Sequence, residues 1–309
     1  MTSVSVRVPA KVNLQLSVGP IRDDGYHDLV NVFHAVSLFD EVTAAPAAGL
    51  EVSVEAAPHS RVAIGGVPTD GGNLAARAAR LVAGRLGVEP GVALRIRKAI
   101  PVAGGMAGGS ADAAAALVAC ARLWDDRDRP VLTRDDLLEL GAELGSDVPF
   151  ALLGGTAIGV GRGERLTPAL SRGTFHWVFA TADGGLSTPA VYAECDRLRE
   201  AGERPAAWPR VSEDLMTALA TGDAKTLGAA LVNDLQPAAL ALRPSLRRTL
   251  ATGRDLGAVG AVVSGSGPTC AFLVANEEHA ADLAADLDGA GVAEQIVVAA
   301  GPVPGATVL

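Results

Sequence analysis

Residues 101 to 111 place four glycines, Gly104, Gly105, Gly108 and Gly109, and one serine, Ser110, between a strand-like run that stops at Pro101 and a helix-forming run from Ala111 to Trp124. Glycine lets the backbone approach a ligand closely, and the first turn of a helix leaves N–H donors without partners. Such a turn suits a phosphate, which accepts several hydrogen bonds and is favoured at the positive end of a helix. The same glycines would also serve as a hinge between strand and helix. No Gly-Lys-Ser/Thr sequence occurs, so this is not a P-loop of the Walker type, and the spacing is not that of a dinucleotide fingerprint.

A second glycine-rich turn, Ser264 to Thr269, suits either another part of a nucleotide or a plain connection between two strands. Lys11 stands in an otherwise apolar strand, where a lysine either snorkels to an edge or is held for its charge. Asp147 lies between Ser146 and the apolar run Val148-Pro149-Phe150; a helix N-cap and a catalytic acid both fit that position. Tyr26 and His27 follow the turn-forming run Arg22 to Gly25 and offer stacking and hydrogen bonding, or else form a surface turn. His34, His59, His176 and His279 are isolated in sequence and read as structural. No HExxH pair or tight His/Cys set offers a zinc site, and no GxSxG elbow offers a serine nucleophile.

These groups need elements to position them. Period-two alternation predicts strands from Val4 to Leu16 with a break at Pro9, then at 30–43, 50–55, 61–64 and 92–100. Asn73 to Leu86 reads as a helix ended by Gly87, and Thr133 as the cap of another. Strand-like passages at 153–163, 175–180, 259–263, 270–274 and 293–299 alternate irregularly with helices near 190–201, 212–220, 224–231, 243–253 and 277–289. The stretch 163–173 is the nearest thing to a linker. Without a regular βαβ period the class is α+β.

Composition bounds the rest. The 309 residues are 49% hydrophobic and 20% charged, enough for a sizeable core. A net charge of −9 argues against a general nucleic-acid binder, which needs a basic face. Cys120, Cys195 and Cys270 are far apart and odd in number, which fits reduced thiols in the cytoplasm. The opening residues lack the apolar core of a signal peptide, and no apolar run reaches membrane-spanning length.

Taken together, Pro9 to Leu14, Pro101 to Ala111 and Val263 to Thr269 resemble the three motifs of the GHMP small-molecule kinases. Asp24-Gly25-Tyr26-His27, Gly145 to Phe150 and Asn233 to Pro237 narrow the resemblance to the branch that acts on a cytidine-diphosphate-linked polyol of the non-mevalonate isoprenoid pathway. The resemblance implies two domains, a ribosomal-protein-S5-like ATP-binding unit over 1–165 and a ferredoxin-like unit over 166–309 that contributes to substrate binding. It implies ATP-dependent phosphorylation of the 2-hydroxyl of 4-diphosphocytidyl-2-C-methyl-D-erythritol, by a monomer or homodimer. By similarity Pro101, Val102, Ala103, Gly104, Gly105, Met106, Ala107, Gly108, Gly109, Ser110 and Ala111 cradle ATP. Lys11 and Asp147 are the catalytic pair, Tyr26, His27 and Tyr192 hold the cytosine, and Asn13 and Thr188 touch polar groups of the substrate. Mg²⁺ accompanies ATP, with Ser110 as a contact and Asp112 as a weaker one.

Two other readings stand beside this one. One is a kinase of the same superfamily for homoserine, mevalonate or a sugar; the other is a catalytically dead nucleotide-binding regulator. Ala103 and Ala107 occupy positions that are often glycine in the family, and the expectation is that both are accommodated at negative φ.

Overall fold

A computed structural model describes residues 3–58, 60–125, 132–202 and 207–309. His59 lies outside them.

The chain begins with two long antiparallel strands, β1 (Val4–Ile21) and β2 (His27–Pro46), followed by β3 (Glu51–Ala56), α1 (Leu74–Leu86) and β4 (Val92–Lys98). Next come α2 (Gly108–Leu123), α3 (Arg134–Leu144), α4 (Val148–Leu153), β5 (Thr156–Gly161) and β6 (Arg165–Pro168). The second half runs β7 (Phe175–Thr181), α5 (Thr188–Glu200), α6 (Glu213–Thr221), α7 (Ala224–Ala230), β8 (Val232–Asn233), α8 (Gln236–Leu242) and α9 (Ser245–Asp255). It closes with β9 (Gly260–Val263), β10 (Cys270–Val274), α10 (Glu277–Gly289), β11 (Gln295–Gly301) and β12 (Thr307–Val308).

Two sheets result. The first has the path β12-β1-β2-β4-β3, with β5 also on β2, β6 on β5 and β8 on β1. The second is antiparallel with the order β11-β7-β10-β9. Numbered within itself, that sheet is strand 4-1-3-2 of a β-α-β-β-α-β run, which is the ferredoxin-like arrangement. The α+β class follows from both sheets.

Several local expectations are corrected. Pro9 does not break β1: it pairs with Phe39 at a register shift between Pro9 and Ala10, the kind of irregularity where a strand tolerates proline. Residues 61–64 form no strand, and of the four only Val62 is buried. Within 163–173 lies β6, a hairpin partner of β5, closed by a turn in which Gly161 and Gly163 take positive φ. Helix α2 starts at Gly108, three residues before the expected start. Its buried alanines, Ala111, Ala113 to Ala116 and Ala119, let it pack closely against β1 and β2. The capping box of α3, Thr133 with Asp136, is formed in both directions.

Candidate active site

β1 supplies the first functional side chains. Lys11 and Asn13 are two residues apart and so point to one face of the strand. The Lys11 ammonium donates to Asn13 Oδ1 at 2.5 Å, and Asn13 Nδ2 donates to Asn31 Oδ1 on β2 at 2.9 Å. All three residues are buried. Burial pulls the Lys11 ammonium below the usual lysine range, partly offset by the negative charge of Asp147.

Asp147 occupies the N-cap position of α4, but its side chain caps nothing. Its Oδ2 lies instead 3.8 Å from Lys11 Nζ. The turn between α3 and α4 therefore spends its acid on the lysine rather than on the helix. At one-third exposure the carboxylate remains open to the cleft.

The glycine loop follows β4 and closes over the same space. Ala107, the N-cap of α2, offers no side-chain hydrogen bond, so the first-turn amides of α2 have no protein cap. Ala103, Gly104, Gly105, Ala107, Gly108, Gly109 and Ser110 line the cleft. Pro101, Val102, Met106 and Ala111 do not, and Met106 is fully buried beneath the loop, its carbonyl accepting from the Lys11 backbone N–H at 3.3 Å. The two alanines overturn the expectation of negative φ: Ala103 has φ 53° and Ala107 has φ 61°. Each sits in the left-handed region, at roughly 1–2 kcal/mol, because the loop must turn there and the surrounding contacts hold it.

Those contacts include the second glycine-rich turn. Ser264 Oγ donates to the Gly105 carbonyl at 3.1 Å. A β-carbon on Gly105 would lie 2.0 Å from the Ser264 carbonyl oxygen, so glycine is required for the two turns to touch. The 264–269 turn thus joins β9 to β10 and also braces the first loop, while its Gly265 and Ser266 line the cleft. Asn233 fixes the turn from behind, donating to the carbonyls of Val263 (2.8 Å) and Gly265 (2.7 Å).

The far end of the cleft is aromatic. His27 and Tyr192 have ring centroids 5.2 Å apart at 31°. Tyr26 is 54% exposed, and the Arg162 guanidinium stands 5.3 Å from its ring centre. Thr188, at the start of α5, shares a hydrogen bond with Ser266 at 3.0 Å. The cleft that joins all of these has a volume of about 770 Å³.

Sequence reasoning missed three polar side chains of this cleft, Asp196, Asn31 and Arg162. Asp196 binds His27 Nε2 at 2.9 Å. It stands one helical turn after Tyr192, and that i,i+4 spacing is the signal that points to it. Asn31 and Arg162 carry no such signal, since the fold alone brings them in. Asp112, offered as a weak metal contact, is corrected: it is buried and ion-paired to Lys98 at 2.7 Å, not in the cleft. Among the described residues no group of three or more His, Cys, Asp or Glu side chains is placed to hold a metal ion, and no helix is long and apolar enough to cross a membrane.

Comparison with known proteins decides the family. The GHMP kinases N terminal domain matches residues 73–155 and the GHMP kinases C terminal domain matches 215–293. A 4-diphosphocytidyl-2-C-methyl-D-erythritol kinase of Thermobifida fusca is 60% identical, over 100% of this chain and 99% of its own length. The chain belongs to this family of GHMP kinases. A relative of the same name from Streptomyces avermitilis is 57% identical over 99% of the chain and 100% of its own length. A crystal structure of a 4-(cytidine 5'-diphospho)-2C-methyl-D-erythritol kinase superposes with TM-score 0.76 at 33% identity, covering 96% of this chain and 98% of the other. A homoserine kinase from Cytophaga hutchinsonii shares the fold at TM-score 0.73 but only 18% identity.

Proposed function

We propose that this chain transfers the γ-phosphoryl group of ATP to the 2-hydroxyl of 4-diphosphocytidyl-2-C-methyl-D-erythritol. The observation that carries the reading is a single cleft. It has an uncapped helix start, a histidine beside the Tyr192 ring, and the Lys11–Asp147 pair. Relatives 57–60% identical over nearly their whole length carry the name of that activity.

The residues divide the work as follows. The amides of Gly108, Gly109 and Ser110 receive the phosphates at the positive end of α2. Asp147 accepts the proton of the attacking hydroxyl, and the Lys11 ammonium offsets negative charge on the transferring group. A loose phosphoryl-transfer transition state demands little activation of the nucleophile, so positioning and charge neutralisation dominate. Asn13, fixed by Lys11 and Asn31, presents its amide to the polyol, as does the Thr188 hydroxyl. His27 with Tyr26 and Tyr192 takes the cytosine, His27 by hydrogen bonding and the two tyrosines by stacking. Asp196 accepts the Nε2 proton of His27 and so fixes its tautomer.

Mg²⁺ fits a site with few protein donors, because it keeps water and phosphate ligands, and Ser110 is the cleft side chain that would join them. When bound, the ion supplies charge neutralisation to the phosphates. The division of labour also runs along the chain: residues 1–165 give the loop and Lys11, and residues 166–309 give Thr188, Tyr192 and the bracing turn.

A coupled ADP-release assay with Mg·ATP, comparing 4-diphosphocytidyl-2-C-methyl-D-erythritol with mevalonate, homoserine and galactose, tests the reading. Turnover with the cytidine substrate alone is expected. Turnover of one of the other alcohols would overturn the roles of Tyr26 and His27. ATP binding without any turnover would favour a regulator.

A further inference from the structure

A cluster of three charged side chains lies beneath the phosphate loop, outside the cleft. Asp40 is 0% exposed, Lys98 2% and Asp112 3%. The Lys98 ammonium donates to Asp40 Oδ2 and, at 2.7 Å, to Asp112 Oδ2. Asp40 Oδ1 in turn accepts the backbone N–H groups of Ala99 (2.6 Å) and Ile100 (2.8 Å). One cluster therefore grips the chain on both sides of the loop, at the two residues before Pro101 and at the second residue after Ser110. The ammonium reaches in under the helix start as well: a β-carbon on Gly108 would lie 3.2 Å from Lys98 Nζ.

Holding a core together does not require such a cluster. Two carboxylates share one ammonium, and Asp112 Oδ1 is buried without a hydrogen-bond partner. Burial, opposed by Lys98, pushes the Asp112 carboxyl well above the usual carboxylate range. Desolvation makes buried charges of this kind a poor source of stability compared with apolar side chains. What they provide is direction, since each bond fixes a particular atom at the loop's entry or exit. The loop between them carries two alanines in the left-handed region, a conformation that persists only where the surroundings over-determine it.

We propose that Asp112, acting through Lys98 and Asp40, is a positioning residue that holds the 101–110 loop in the shape that receives the phosphates of ATP. This rests on the assignment of that loop to the nucleotide. Asp112→Ala removes the tie to α2 and leaves Lys98 and Asp40 paired one to one, so the fold should survive. Asp112→Asn keeps an oxygen that can accept from Lys98.

The experiment is calorimetric titration with ADP of the parent and both variants, together with both Michaelis constants and the melting temperature. For Asp112→Ala the dissociation constant for ADP and the KM for ATP should rise about tenfold, with the KM for the cytidine substrate within twofold. Asp112→Asn should recover ADP binding to within about threefold. Parental ADP affinity in a folded Asp112→Ala variant overturns the positioning role alone. A parent chain that does not bind ADP overturns the loop assignment and the proposal with it.

If Asp112→Ala does not fold, amide exchange in the unsubstituted chain decides. ADP should slow exchange at Ala99 and Ile100, which do not line the cleft. Exchange there that ADP leaves unchanged contradicts the proposal.

Discussion

The Lys11 ammonium lies 3.8 Å from the Asp147 carboxylate, although Asp147 stands where it could have capped α4 instead. Because burial lowers the Lys11 pKa from 10.5, its positive charge is lost at a lower pH than for a free lysine. The alkaline limb of kcat/KM, which reports the free enzyme, should therefore fall below pH 10.5, and Lys11→Arg should move that limb upward even if it lowers the plateau. A pH–rate profile of both proteins checks this.

Asp196 bonds His27 Nε2 at 2.9 Å in the cleft, apart from the Lys11–Asp147 pair in the proposed division of roles. Asp196→Ala should raise the KM for the cytidine substrate about tenfold while leaving kcat and the KM for ATP nearly unchanged, since the histidine loses its fixed tautomer but the reacting atoms are elsewhere. Steady-state kinetics with each substrate varied separates these effects.

His34 on β2 is buried against Phe175 and Trp177 of the second sheet, with Nδ1 bonded to Thr156 Oγ1 at 2.9 Å. Burial lowers its pKa from 6.5 to about 4. Between these values the unfolded chain binds more protons than the folded one, so stability rises with pH through that window and is lost as pH falls through it. The contribution is on the order of 3 kcal/mol at neutral pH. Urea unfolding from pH 7 down to pH 4 should show this loss, and His34→Gln should flatten the pH dependence.

Ala103 and Ala107 each carry positive φ. Replacing either with glycine relieves roughly 1–2 kcal/mol of strain and costs part of that in unfolded-chain entropy, for a net gain of about 0.5–1 kcal/mol. Ala107→Val should do the reverse, because a β-branched residue is excluded from that region. Chemical denaturation of the three variants measures the sign directly.

Much of this was legible in the sequence, and its limits have physical causes. The ends of α1, the cap of α3 and the second sheet's strands are written in local patterns: Asn73 and Gly87, Thr133 and Asp136, and the short, mostly apolar runs of β7 and β10. The start of α2 was hidden because Gly108 and Gly109 are poor helix formers whose place is set by what lies beneath them. Positive φ at Ala103 and Ala107 belongs to a loop braced at Gly105 by Ser264, more than 150 residues away, and no local signal carries it. The Lys98 cluster is likewise invisible until β2, β4 and α2 are packed together. The proposed catalytic pair is legible only through an ordered set of motifs, since Lys11 and Asp147 each have an ordinary structural reading when taken alone.

The measurement that bears most directly on the account is kcat for Asp147→Asn at saturating Mg·ATP and 4-diphosphocytidyl-2-C-methyl-D-erythritol. The substitution keeps the shape of the side chain and removes its ability to accept the hydroxyl proton as a carboxylate. A fall in kcat of about a hundredfold or more, with both Michaelis constants within a few-fold of the parent, is the predicted result. Near-parental kcat with only a raised KM would contradict it, leaving Asp147 a binding group and the chemistry elsewhere in the cleft.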